Sequence, residues 1–139
     1  MGDGAREPEL LFYDGGCGLC HRSVRFVAAA DRAGRFRFAP LGGDTFRALV
    51  PEERRGGLPD SIVVRRADGA LLVRSDAALH VLRRLGLGWR AVAALLALVP
   101  RRLRDAGYDF VARRRLRWFA RPDAACPLVP PHLRARFAP

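Results

Sequence analysis

The sequence predicts one α/β domain of order β-α-β-α-β-β-α, followed by a helical extension. Three observations carry that expectation. The apolar run Leu10-Leu11-Phe12-Tyr13 leads into a stretch whose apolar residues recur at helical spacing. Arg35-Phe36-Arg37-Phe38 alternates with the period of a half-buried strand. Two aliphatic runs then flank Ala67-Asp68-Gly69, the composition of a hairpin turn.

Taken in order, Leu10 to Tyr13 reads as a buried strand and Asp14-Gly15-Gly16 as the turn that leaves it. In the helix that follows, Val24, Val27 and Ala28 keep step with Cys17 and Cys20 at i+3/i+4 spacing. A second strand covers 35–38. Asp44 is placed to cap a short helix, Thr45 to Val50, which Pro51 stops. Ser61 to Arg65 and Leu71 to Arg74 form the arms of a hairpin, and Ser75 or Asp76 caps a helix from Ala77 to Leu85 that ends at Gly86. Beyond Gly88, helical stretches from Trp89 to Val99 and from Arg101 to Ala120 are separated by Pro100. From Pro122 the tail is Pro-rich and is expected to be irregular.

A βαβ unit closed by a hairpin and a helix is the minimal arrangement of the thioredoxin-like fold. In that fold a Cys-x-x-Cys pair follows the first strand, as it does here, and Pro59 stands where a cis-proline would face the disulfide. A proline opening a strand also has an ordinary structural reading. The expected division of the single domain 1–139 is a thioredoxin-like core at 10–88, a basic helical extension at 89–121 and a Pro-rich tail at 122–139.

Composition limits the function classes. At 139 residues, half of them hydrophobic, the chain can bury a core without staples. The first nine residues contain no apolar segment of signal-peptide type. The strongly apolar stretch Ala91 to Val99 is too short to span a bilayer. Three cysteines make no secreted disulfide framework, so the expected compartment is the reducing cytoplasm. The net charge of +11 comes entirely from residues 61–139, where sixteen Arg face five Asp, and the chain has no Lys. Codon preference for Arg, Ala, Gly and Pro explains such a bias, and so does selection for an anionic partner.

The chemistry-bearing feature is Cys17-Gly18-Leu19-Cys20. A thiol at the first turn of a helix meets unpaired N–H groups and the positive end of the dipole, and both favour thiolate. Cys20 falls one turn deeper on the same face, within reach of a small disulfide ring. The pair fits a nucleophilic Cys17 and a resolving Cys20. Two inert thiols, or half of a tetrahedral metal site completed by Cys126 and one of His21, His80 or His132, are the alternatives. His21 adjoins Cys20 but points about 100° away on a helix, and reads as an exposed residue. Asp14 is either a turn or N-cap residue, or a carboxylate that takes the Cys20 proton. Cys126 is a lone thiol, either a passenger or an accessory resolving group. Phe110, Trp118 and Phe119 read as core of the terminal helices.

With these residues in hand, the chain resembles the DCC family of thiol-disulfide oxidoreductases, named for Asp-x-x-Cys-x-x-Cys, here Asp14 to Cys20. The likeness extends through Tyr13, Val24, Phe26, Asp31, Phe38-Ala39-Pro40-Leu41, Arg74-Ser75-Asp76-Ala77-Ala78 and Arg117-Trp118-Phe119 with Cys126. It implies a thioredoxin-like redox protein with undefined substrates.

The leading expectation is therefore reduction of protein or small-molecule disulfides by the Cys17/Cys20 dithiol. Asp14 would assist, Gly18, Leu19 and Pro59 would contact substrate, and an external dithiol would supply electrons. The redox-active disulfide replaces any cofactor, and no metal is required. The alternative is a non-enzymatic thioredoxin-like module whose Arg-rich C-terminal helices hold an acidic protein or membrane surface. Leu103, Phe110, Val111, Trp118 and Phe119 are spaced to form a buried stripe, which leaves a basic face for weak, salt-sensitive contact with an anionic membrane or acidic protein. No nucleic-acid module is recognisable, so nucleic acid ranks below both.

Overall fold

The structure is a computed structural model that describes residues 8–14, 18–58, 62–118 and 134–138, with 18–20 and 115–118 described by backbone alone. Among these residues the elements run β1 (Glu9–Tyr13), α1 (Gly18–Ala30), β2 (Phe36–Pro40), α2 (Asp44–Leu49), α3 (Glu52–Arg55), β3 (Val63–Arg65), β4 (Leu71–Val73), α4 (Arg74–Arg84), α5 (Leu87–Ala97) and α6 (Arg101–Trp118).

Every residue of β1 is buried, because the strand lies inside the sheet and both of its faces are covered. The strand order is β2-β1-β3-β4. β1 pairs parallel with β2 across the α1 connection and antiparallel with β3, which pairs antiparallel with β4. This is the thioredoxin-like α/β arrangement that the sequence predicts.

The two-residue period of the strands sorts the core into two layers. Leu11, Tyr13, Phe36, Phe38 and Val64 meet Val24, Val27 and Ala28 of α1 and Ala77 and Val81 of α4. On the other face Leu10, Phe12, Ala39 and Val63 meet Phe46 of α2 and Val50. There the Phe12 and Phe46 rings sit edge to face at 5.1 Å. Each fully buried aromatic or aliphatic side chain here contributes roughly 1.5–3 kcal/mol relative to exposure.

Several boundaries differ from the sequence reading. Asp44 does not cap α2; Gly43 holds the N-cap position without a side-chain bond, and Asp44 pairs with Arg47 at 3.1 Å on the surface. Pro51 stops α2 as expected but also opens the unforeseen α3, since proline is tolerated at a helix start. α4 starts at Arg74, which has φ +55°. The left-handed backbone there costs a non-glycine residue about 1–2 kcal/mol.

The Pro-rich tail returns to the sheet. Phe38 donates its N–H to the Arg136 carbonyl at 2.9 Å, and Ala138 donates to the Phe38 carbonyl at 2.8 Å. The Phe137 ring stacks on Phe38 at 5.0 Å. Residues 134–138 thus cover the outer edge of β2, where open backbone groups would otherwise template pairing with another chain.

Two buried carboxylates fasten this frame. Asp31, only 1 % exposed, ends α1 and accepts the N–H groups of Arg35 at 3.1 Å and Phe36 at 2.9 Å. The Arg136 guanidinium lies 3.7 Å from the same carboxylate and donates to the Ala28 and Asp31 carbonyls. Removing the Asp31 carboxylate leaves buried donors unsatisfied. Asp31→Ala is expected to lower unfolding free energy by about 2–3 kcal/mol, read by urea denaturation.

Glu9, at the start of β1, meets His80 at 2.8 Å and Arg84 at 3.2 Å, both on α4. Burial pushes its carboxyl up, but the bonds and charges of His80 and Arg84 outweigh that and hold it below the usual 4.5. A depressed carboxylate contributes stability that is present above its unfolded value and is lost as pH falls through the folded one. Glu9→Gln should therefore lower the melting temperature at pH 7 and flatten its fall below pH 4.5, measured by thermal melts across that range.

Candidate dithiol site

α1 begins at Gly18, with Leu19 second and Cys20 third, so Cys20 belongs to the first turn of a 13-residue helix. Asp14 is half-buried directly after β1. Cys17, Pro59 and Cys126 lie outside the described residues. The backbone N–H groups of a first helical turn have no partners within the helix, and the dipole is positive there.

The register shows what gathers at this end of the sheet. Phe12 pairs with Val63, and Val63 with Val73. The chain entering β3 through Ile62 and the chain leaving β4 at Arg74 therefore both reach the end from which β1 delivers Asp14. β2 leaves there as well, for the Leu41 N–H bonds the Tyr13 carbonyl at 2.8 Å.

His21 is not the exposed residue expected from the sequence. It is 6 % exposed, and its ring meets Tyr13 edge to face at 5.9 Å. The signal was present, since His21 stands at i−3 and i−7 from Val24 and Ala28, on the stripe that faces the sheet. His80, the other described imidazole, is committed to Glu9 at the opposite end of β1. Among the described residues no cluster of three His, Cys, Asp or Glu is disposed to hold a metal.

A groove of about 420 Å³ opens beside this end. Ile62, Val27, Val81 and Leu82 give it an apolar floor, while Arg22 and Ser23 of α1, Arg74 of α4 and Tyr108 of α6 line its polar margin. Of these polar residues the sequence reading named only Arg74, within the family likeness and not as part of a site, because the groove exists only once α6 lies against α1 and α4.

α6 is held there by ionic and hydrogen-bonded contacts at the start of α4. Asp105 accepts the Ser75 hydroxyl and, at 3.4 Å, the Ser75 backbone N–H. The sequence assigned the cap of this helix to Ser75 or Asp76; instead a carboxylate from α6 takes the N-terminal donor, and Ser75 and Asp76 lie inside the helix. The Ser75 hydroxyl, followed by smaller contributions from the Ser75 N–H, Arg101 and Arg74, holds the Asp105 carboxyl below its usual range against some burial. Asp109 pairs with Arg74 at 3.5 Å, and Asp76 with Arg101 at 3.1 Å and Arg104 at 3.6 Å. The Arg74-Ser75-Asp76 stretch is thus the dock for α6.

No helix among the described residues is long and apolar enough to cross a membrane. The family model for DCC1-like thiol-disulfide oxidoreductase matches residues 11–121. The chain is 35 % identical over 134 residues to the uncharacterized protein YuxK of Bacillus subtilis, covering 94 % of this chain and 93 % of that one. It is 32 % identical over 117 residues to the chloroplastic DCC family protein At1g52590 of Arabidopsis thaliana, covering 83 % of this chain and 67 % of the relative. No solved structure matches significantly. A match over this length, together with the sheet order and the position of Cys20 on α1, places the chain in the DCC1-like thiol-disulfide oxidoreductase family.

Proposed function

We propose that this protein reduces protein or small-molecule disulfides through the Cys17/Cys20 dithiol. The observation that carries this reading is the position of Cys20 in the first turn of α1, with Cys17 immediately before the first helical residue in the chain. A thiol at that position is the one whose anion the helix stabilises.

The Cys17 thiolate attacks one sulfur of a substrate disulfide. That bond breaks, the Cys17–substrate disulfide forms, and the first substrate thiolate leaves and takes a proton from water. Cys20 then loses its proton and attacks the Cys17 sulfur, releasing the second substrate thiol and closing the Cys17–Cys20 disulfide. Asp14 is the base near this step, accepting the Cys20 proton directly or through water. Two electrons have passed to the substrate, and an external dithiol returns them by the same exchange in reverse. Gly18, Leu19 and Pro59 form the substrate contact around the thiols. Gly18-Leu19 places no charge or imidazole between the cysteines, which suits a reductant more than a strong oxidant. Cys126 acts as an accessory thiol only, and the reaction needs no metal or organic cofactor. A reducing cytoplasm fits the direction of the reaction.

Alkylation followed by mass measurement should find two thiols protected after oxidation and released by a dithiol. Cys17→Ser should abolish disulfide-reductase turnover, and Cys20→Ser should accumulate a substrate mixed disulfide. Both cysteines remaining free in oxidised, folded protein would refute the assignment.

The same helix position sets an order of acidity. In the Cys20→Ser background the alkylation rate should titrate with a midpoint below the roughly 8.5 of a free thiol. A midpoint at or above that value would mean that the Asp14 charge or burial outweighs the helix terminus.

A further inference from the structure

α5 presents its apolar side to solvent. Among its residues Ala93 alone is buried, against α4. At 100° per residue, Leu87, Ala91, Leu95 and Leu98 all point to the opposite side. Leu87 is 82 % exposed, Leu95 67 % and Leu98 80 %. α6 continues the pattern. Its acidic residues Asp105 and Asp109 turn inward to Ser75 and Arg74, while Leu103, 64 % exposed, and Phe110 lie on the outward side. This reverses the buried stripe expected of Leu103, Phe110 and Val111. Exposed large apolar side chains gathered on one helix mark an interaction surface.

The exposed charges of these two helices have one sign. Among the described side chains of α5 and α6, every exposed charged residue is an arginine: Arg90, Arg101, Arg102, Arg113 and Arg114. Arg114 lies over the Phe110 ring at 4.6 Å, with its charge held beside the apolar face. A second copy of the chain set symmetrically on this surface would bring these arginines together, and like charges oppose that pairing. A layer with an apolar interior and an anionic surface satisfies both features at once. The helices are too short or too charged to cross such a layer, but they suit lying on it.

We propose that the outward faces of α5 and α6 seat the protein on an anionic lipid bilayer, with Leu87, Leu95, Leu98 and Leu103 in the acyl boundary and Arg90, Arg102, Arg113 and Arg114 among the headgroups. The proposal stands independently of the dithiol assignment.

Flotation of the full chain with vesicles tests this. Vesicles of phosphatidylcholine with phosphatidylglycerol should carry the protein up the gradient, and phosphatidylcholine alone should carry much less. Leu95→Ser combined with Leu98→Ser should weaken partition by about tenfold or more, the equivalent of roughly 1.4 kcal/mol. Both side chains are exposed, so the melting temperature should hold. A wild-type protein that stays at the bottom with anionic vesicles would overturn the proposal, as would an unchanged double variant. So would equal binding to neutral vesicles. A concentration-dependent dimer that the double variant returns to monomer, without vesicle binding, would assign the face to a second copy instead.

Discussion

β1 is buried along its whole length, and most of the structure answers to that burial. A strand covered on both faces needs pairing on both edges, supplied by β2 and β3, and helices over each face, supplied by α1 and α4 on one side and α2 on the other. A charged residue at its start needs partners inside the protein, so Glu9 is clamped to His80 and Arg84. Its end must emerge where the sheet is open. There Asp14 and the first turn of α1 stand together, at the carboxyl end of a central parallel strand. The Asp-x-x-Cys-x-x-Cys motif and the fully buried strand are consecutive in the chain.

The far side of that same end is governed by a different force. The turn from β4 into α4 holds Arg74 in a left-handed conformation, and an extended Val73 precedes it without any side-chain cap. Asp105 and Asp109 of α6 supply what this junction lacks, one by accepting from Ser75 and the other by pairing with Arg74. Partly exposed ion pairs contribute little singly. Here they act with a hydrogen-bonded helix terminus, and their geometric effect is to fix α6 along the groove beside α1. Polar contacts position this helix, and none of its described apolar side chains is buried as those of α1 and α4 are.

That division explains the surface. Because α6 spends its acidic residues on α4, Arg102, Arg113 and Arg114 remain outside among its described side chains, with Leu103 and Phe110. α5 is tied down by Ala93, by the Trp89 ring against Phe26 at 5.0 Å and by its neighbours on α4, with Leu87 and Leu95 facing away. A helix whose hydrophobic side chains do not serve the fold of the monomer is available to serve an interface.

The sequence by itself determined the strands, the first helix and the order of the sheet-forming units. Alternation and apolar runs are local signals that burial on a sheet face enforces, and Phe36, Phe38, Val24 and Ala28 fall inward as that pattern requires. It also carried the Asp-x-x-Cys-x-x-Cys motif by which the family could be recognised, since thiol spacing is a property of the chain. What it missed was decided by distant contacts. His21 lay on the inward stripe, but its placement against Tyr13 depends on how α1 crosses β1. The capping of α4 by Asp105 joins residues 30 positions apart, so Ser75 and Asp76, the local candidates, were the natural but wrong choice. The outward turn of Leu95, Leu98 and Leu103 was illegible for the same reason. Helical spacing shows that apolar residues share a face, but only the packing of α5 and α6 on α4 decides which face meets protein and which meets the outside.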